Sequence, residues 1–534
     1  MPKSKFYMPD WLQHQPYNKP DAADYAFVKI TNQILDLIYS PAAQPIANAL
    51  TEEAQKALAH LLASYLEDVV SNTNIFRAFT TEHHKLYNRT LPFYSCHNYD
   101  NDEINLVDVR FLIWYFFANL EEDVLMFSPH NQKILYFADQ VYVILDQAYE
   151  TVPENTKLYH FVHLPDRKVS FYEIRSLMGW LFCSGFLFRH NTYKINNQID
   201  DQAEIIENKL STQDWHEFKN EIQDTFIWNE HCSLLAYRAS TWLALILGDN
   251  HPLHQALLDV SFKKRGIHEY LRKTSDKIYF KHVATEAEIE VMSGGIQFVD
   301  QLNRVGQLWT IAFVSFNNSW WNSGMSYDIP WDADRILDEK NDPYQRSLHG
   351  GTIAERLAVI QQQQNLFEQF NEGSLIHYYL SGAEAKEFIT KWSEFYNNSL
   401  KLSAKEIAKS IKAFRKKGIT QEQVSFGDSF PEEAGLVFFN PNVGIEVLTA
   451  DLTWIPDPNN PYLKPPINER AFIELLFNPV FSKEIFEYLW NKQTHLTLSF
   501  PGKPPDPCLN ENIDFFQRFN KYDSYNDEPK SYIV

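Results

Sequence analysis

The chain has 534 residues, 44% hydrophobic and 15% aromatic, so it can bury a large core and divide into roughly three domains. A formal net charge of −21 opposes tight non-specific attachment to nucleic acid or to an anionic membrane. With 17 glycines, and neither G-x-G-x-x-G nor G-x-x-x-x-G-K-[ST], the sequence argues against a glycine-rich phosphate loop.

Residues 1–20, rich in Pro, Asn and aromatics, read as an extended arm pinned by Trp11 and Tyr17. A helical domain is expected over 21–273. Its first helix carries Phe27, Ile30, Ile34, Leu37 and Ile38. Thr51 caps a second, with Glu52 and Glu53 in the first turn where the helix dipole favours acids. Residues 81–103 read as a polar loop. Asn105 then opens a helix apolar around most of its circumference, which marks it as buried. A partner helix follows at about 131–149 and another over Tyr172–Phe188. Residues 189–210 read as a linker, and further helices run up to Lys273.

An antiparallel β module is expected over 274–330. Ile278, Phe280 and His282 alternate with Tyr279, Lys281 and Val283, and Ile289 and Val291 alternate with acids. Leu308–Phe316 is apolar on both faces, as a central strand is. Asn317-Asn318 suits the positive φ angles of a tight hairpin. Such strands close into a small barrel or lie against helices. A loop at 331–350, a C-terminal α+β domain over 351–500 and a polar tail over 501–534 complete the layout. Within the third domain, Ser381 with Glu384 and Ser403 with Glu406 form capping boxes, and N-P-N-V-G turns a hairpin. The fold class expected is α+β, mostly α.

Four stretches carry a resemblance: YMPDWLQHQPY; INLVDVRFLIWYFF with SPHNQKILYFADQVYVILDQAYETVPEN; YFKHVATEAEIEV with FNNSWWNSGM; and FFNPNVGIEV with DPNNPYLKP. On these the chain resembles an uncharacterised bacterial family, a domain-of-unknown-function family of Bacteroidetes. The resemblance implies a layout and a cytoplasmic setting, and assigns no activity or residue role. The cysteines agree with that setting: Cys96, Cys183, Cys232 and Cys508 lie far apart with no C-x-x-C, as in a reducing compartment. The opening residues form no signal-peptide h-region, and the longest apolar runs are too short to span a bilayer, so no membrane partner is expected.

Candidate sites are few. His83, His84, Cys96 and His97 are zinc-competent types in one loop, though their spacing matches no standard finger. Cys96 with His97 could also serve a hydrolase, provided that the rest of the site comes from distant segments. Asp332, Asp334, Asp338, Glu339 and Asp342 read as a solvated acidic loop or a Mg²⁺ or Ca²⁺ site. His282, on an apolar strand face, reads as a core histidine. Trp320, Trp321 and Tyr327 offer a stacking platform. Lys405, Lys409, Lys412, Arg415, Lys416 and Lys417 make a basic amphipathic helix over 404–417. No catalytic constellation and no cofactor motif is present. The leading expectation is therefore a non-catalytic binding or scaffold protein for a protein or peptide partner. The alternatives are nucleic-acid binding through the basic helix and the aromatic hairpin 307–327, which the net charge disfavours, and a hydrolase built from distant residues. The sequence carries no signal for oligomeric state.

Overall fold

A computed structural model describes residues 5–120, 127–164, 169–206, 212–294, 296, 298–348, 353–401, 412, 432–464, 466–493, 495–501 and 504–525. The fold is α+β and mostly helical, as the sequence pattern indicates. The chain divides into two compact units, and the boundary is crossed repeatedly. The first unit holds Met1–Lys263, Val314–Met325 and Ser499–Asp523; the second holds Lys264–Phe313, Ser326–Leu498 and Ser524–Val534.

The first unit begins with α1 (Met8–Leu12), α2 (Ala22–Ile38), α3 (Gln44–Ala47), α4 (Glu52–Val70) and α5 (Ile75–Tyr87). Next come α6 (Leu106–Ala118), α7 (Gln132–Tyr149), α8 (Thr156–Val162) and α9 (Phe171–Cys183), then α10 (His190–Ile206), α11 (Thr212–Asn229), α12 (Ala239–Leu247) and α13 (His254–Leu258). Thr51 caps α4 as expected, its Oγ1 accepting from the Ala54 N–H at 3.2 Å. Asn105 does not cap α6 through its side chain. Its Nδ2 instead donates to Asp108, which also accepts from the hydroxyls of Tyr65 and Tyr99.

Two expectations are corrected in this unit. α5 runs to Tyr87, so the polar loop begins later than residue 81. α10 occupies most of the span read as a linker: its surface is polar, but Ile195 and Ile199, four apart, fall on one face and are buried. The N-terminal arm is pinned as expected, although part of it is the short helix α1. Trp11 is fully buried, and its indole N–H and the Tyr17 hydroxyl both donate to Asp24 Oδ1, at 3.0 and 2.8 Å. Asn155 Nδ2 joins them and donates to Glu67 Oε1 at 2.7 Å, so four segments meet in one buried polar network.

The chain enters the second unit as β1 (Lys264–Lys273), followed by β2 (Lys277–His282), β3 (Glu288–Met292) and β4 (Leu308–Phe316). β1 is a correction, since its residues were expected to be helical. Its many charges hide an alternation in which His268 and Tyr270 point inward while Glu269 does not. It is also a central strand, antiparallel to both β2 and β4, with His268 opposite His282 on one side and Trp309 on the other. β3 pairs with β2, and β6 (Tyr327–Ile329) pairs with β4, giving the order β3-β2-β1-β4-β6 within this unit. The end of β4 and β5 (Ser319–Asn322) belong to the first unit, joined by Asn317 and Asn318, whose φ angles of 50° and 59° are those of the expected hairpin turn.

After β6 the expected loop is two helices, α14 (Ala333–Asn341) and α15 (Pro343–Ser347). Asp332 and Asp342 cap them, and Pro343 sits at the first position of α15. α16 (Ile353–Phe370), β7 (Ile376–Tyr379) and α17 (Gly382–Ser399) lead to the hairpin β8 (Gly435–Asn440) and β9 (Gly444–Thr449). These strands form a second sheet, β7-β8-β9, whose central strand β8 is buried throughout. Ser381 caps α17 as its box implies, whereas the box at Ser403 lies outside the described residues. α18 (Glu469–Phe477) and α19 (Lys483–Trp490) complete this part. The expected polar tail instead contributes α20 (Cys508–Glu511) and α21 (Ile513–Asn520) to the first unit. Phe515, Phe516 and Phe519 of α21 pack on Trp114 of α6, with ring centroids 5.5 to 6.3 Å apart.

Two measurements test this packing. Lys263 is buried with its ammonium 2.7 Å from Glu221 and 2.8 Å from Asp224. Lys263→Met takes the ammonium away from two buried acids and is expected to lower the unfolding free energy by about 3–5 kcal/mol, read as a lower urea midpoint. Burial also holds the Glu67 carboxyl up at about 8 and that of Asp108 up at about 7. Above its ordinary value of ~4.3, the unfolded chain has lost the Glu67 proton that the folded chain keeps, so stability falls as pH rises toward the folded value. The buried histidines, held below their ordinary range, act in the opposite direction only below about pH 6.5. The urea midpoint is therefore expected to fall between about pH 6.5 and 8, and Glu67→Gln is expected to flatten that slope.

Candidate functional site

The second unit contains an open cleft of about 650 Å³. Its floor is the start of β1, where Arg265, Gly266 and Ile267 lie beside Thr310 of β4. Tyr327 of the edge strand β6 forms one wall, and Arg335, Asp338 and Glu339 of α14, with Asp342, Tyr344 and Gln345 around α15, form the other.

The helical wall is fastened to the floor by buried polar contacts. Glu339 Oε1 accepts from the Ile267 N–H at 2.6 Å, and burial pushes its carboxyl above the usual range despite that bond. Gln345 Nε2 donates to the Arg265 carbonyl at 3.1 Å. His282 orients Gln345. Its Nε2 lies 3.2 Å from Gln345 Oε1, which can only accept, so Nε2 carries the hydrogen. Nδ1, 2.8 Å from Thr285 Oγ1, then accepts from that hydroxyl. His282 is thus the buried core histidine expected, with its pKa lowered by burial, and it also sets the cleft wall.

Gly266 makes this approach possible. A Cβ there would lie 2.6 Å from Gln345 Oε1, 2.7 Å from His282 Nε2 and 3.1 Å from Glu339 Oε1. The remaining lining is charged. The Arg265 guanidinium lies over the Tyr327 ring, 5.9 Å from its centroid, within cation–π range. Two guanidiniums and three carboxylates share the rim, with Tyr327 and Tyr344 as aromatic surfaces. Among the described lining residues there is no His, Cys, Ser or Lys.

Residues 5–275, just over half of the chain, match the family described as "Protein of unknown function (DUF3843)". The chain belongs to that family. No curated protein and no solved structure matches it. The family match takes in the floor residues Arg265, Gly266 and Ile267 and stops short of Tyr327, Arg335 and the helical wall.

The residues singled out from sequence are dispersed. Tyr327 lines the cleft. Trp320 and Trp321 are half-buried in the first unit, and Trp321 stacks on Phe171 at 5.3 Å with an interplanar angle of 8°. Phe171 in turn stacks on Trp228, so Trp321 continues a packed aromatic column. Of the basic helix, Lys412 is exposed, while Lys405, Lys409, Arg415, Lys416 and Lys417 lie outside the described residues. His83 is buried on α5 with Nδ1 2.6 Å from the Arg89 carbonyl, and burial lowers its pKa to about 4. His84 and His97 are exposed, and Cys96 is half-buried with its thiol 3.6 Å from the Tyr94 carbonyl. Among the described residues, no three of these four reach ligand spacing of a common point. Of the acidic run, Asp332 caps α14, while Asp338, Glu339 and Asp342 turn to the cleft. Sequence reasoning did not mark Arg265, Arg335 or Gln345, because nothing local distinguishes them.

Gly266→Ala is expected to push Gln345 and His282 apart and to destabilise the second unit by about 1–3 kcal/mol. Hydrogen exchange would show it as faster exchange confined to α15 and the start of β1.

Proposed function

We propose that the protein is a non-catalytic binding protein whose cleft holds a short peptide segment of a protein partner. The observation that carries this reading is the lining: both signs of charge with two tyrosines in one open cleft. A polypeptide suits such a surface, because its side chains supply either charge and its backbone supplies donors and acceptors. The volume of about 650 Å³ falls within the range of ligand pockets. Tyr327 stands on β6, which ends the strand order, and edge strands are the usual place for an added peptide strand.

A bacterial, cytoplasmic setting forms part of this proposal. It is supported by the resemblance noted above and by Cys96, Cys183, Cys232 and Cys508, all of which are free. Among the described residues no helix is long and apolar enough to cross a membrane.

The test is affinity capture with the full chain, followed by binding measurements on whatever protein is enriched. Arg335→Glu and Tyr327→Ala, each checked for a wild-type circular dichroism spectrum, are expected to weaken that binding at least tenfold. Unchanged affinity in both variants would remove the cleft from the reading. Salt-dependent binding of RNA, lost in Lys416→Glu with Lys417→Glu, would replace it with nucleic-acid recognition.

A further inference from the structure

His130, Asp506 and Cys508 come together in the first unit, although the first is 376 positions from the second. A nitrogen, an oxygen and the sulfur of these side chains all lie within 4.8 Å of one another. Cys508 is buried, and the other two are half-buried. We propose that these three side chains bind a zinc ion, leaving the fourth coordination position open.

The hydrogen bonds of His130 carry the argument. Its Nε2 lies 3.2 Å from the Phe93 carbonyl oxygen, which can only accept, so Nε2 carries hydrogen. Nδ1 lies 2.9 Å from Asp506 Oδ2. Protonated, that nitrogen donates to the carboxylate as an ion pair. A zinc ion would take the place of that proton between Nδ1, Oδ2 and the Cys508 sulfur. A ring N–H given to a backbone carbonyl is also the usual support for a metal-bound histidine, because it fixes the tautomer and the ring plane.

The surroundings hold the three in place. The Ser128 hydroxyl donates to Asp506 Oδ2, and the Cys508 N–H donates to Asp506 Oδ1 at 3.0 Å. Phe500 and Asp506 exchange two backbone bonds, of 2.9 and 3.2 Å, which close the loop before Cys508. The Tyr94 hydroxyl donates to the Pro129 carbonyl at 2.8 Å, tying the Phe93 loop to the His130 loop. Phe93 itself has a φ of 68°, uncommon for a residue with a side chain. A thiolate, an imidazole and a carboxylate suit zinc and other borderline cations, whereas Mg²⁺ and Ca²⁺ take oxygen ligands. Binding transfers the Cys508 thiol proton and the His130 Nδ1 proton to water and forms the zinc–sulfur and zinc–nitrogen bonds.

The experiment uses the full chain, freed of any tag and stripped with a chelator. It is titrated with Zn²⁺ against a chromophoric chelator and, separately, with Co²⁺. One equivalent of zinc and a cobalt–thiolate charge-transfer band are expected. Cys508→Ser should abolish the band, and His130→Gln should weaken zinc binding at least tenfold. Absence of stoichiometric zinc and of the band in the wild-type chain overturns the proposal, and needs no variant to fold. So does a band that survives in Cys508→Ser, since it would then belong to another cysteine.

Discussion

A buried cluster of charges is the constraint on which the first unit depends. Asp224 is fully buried and accepts from Arg175, from Trp228 and from the Ser323 hydroxyl, while the Lys263 ammonium lies beside it and beside Glu221. Glu221 also accepts from the Met325 N–H at 2.7 Å. Gly324, with a φ of +80°, brings the backbone so close that a Cβ would lie 2.1 Å from Glu221 and 2.5 Å from Lys263. Charges out of water are tolerated only when neighbours satisfy them, and here the neighbours come from four separate stretches of chain, around Arg175, Trp228, Lys263 and Ser323. Lys263 is the residue at which the chain first leaves the unit, and Ser323, Gly324 and Met325 are those at which it leaves a second time. The cluster therefore fixes the path of the chain where the hydrophobic pattern says least.

A second polar network does similar work near the amino terminus. Asp24, Glu67 and Asn155 lie deep in the helical packing and receive Trp11, Tyr17 and Gln15 from the arm. An arm rich in Pro and Asn could lie in many places on an apolar surface. Directional bonds to buried carboxylates select one of them.

Much of the layout was legible where the pattern was clean. α2, α4, α6 and α7 declared themselves by their apolar stripes, α4 also by its Thr51 cap, β2 and β3 by alternation, and β4 by apolarity on both faces. Legibility failed where tertiary contacts decide the state. β1 carries Lys264, Arg265, Glu269, Arg272 and Lys273, yet it is central in its sheet, because two neighbouring strands satisfy its backbone. α14 and α15 are short, and were masked by turn-forming residues that in fact serve as their caps. The cleft was visible only at Tyr327 and in the acidic run. Its guanidiniums and Gln345 gain meaning from β1 and α15 lying side by side, which no local spacing encodes. His130, Asp506 and Cys508 were out of reach for the same reason.

The division of the chain has a consequence for its synthesis. The aromatic face of α6, with Trp114 and Tyr115, is covered by α21, which leaves the ribosome only after the whole stretch from Ser326 to Leu498. At ~5–20 residues per second, translation needs roughly 13–50 s to pass from Lys263 to Asp523. The nascent helical unit must wait that long with an apolar surface open to solvent or to a holding chaperone. Its completion waits for that last segment, whereas the β1-β2-β3 meander can form as soon as its own residues are made.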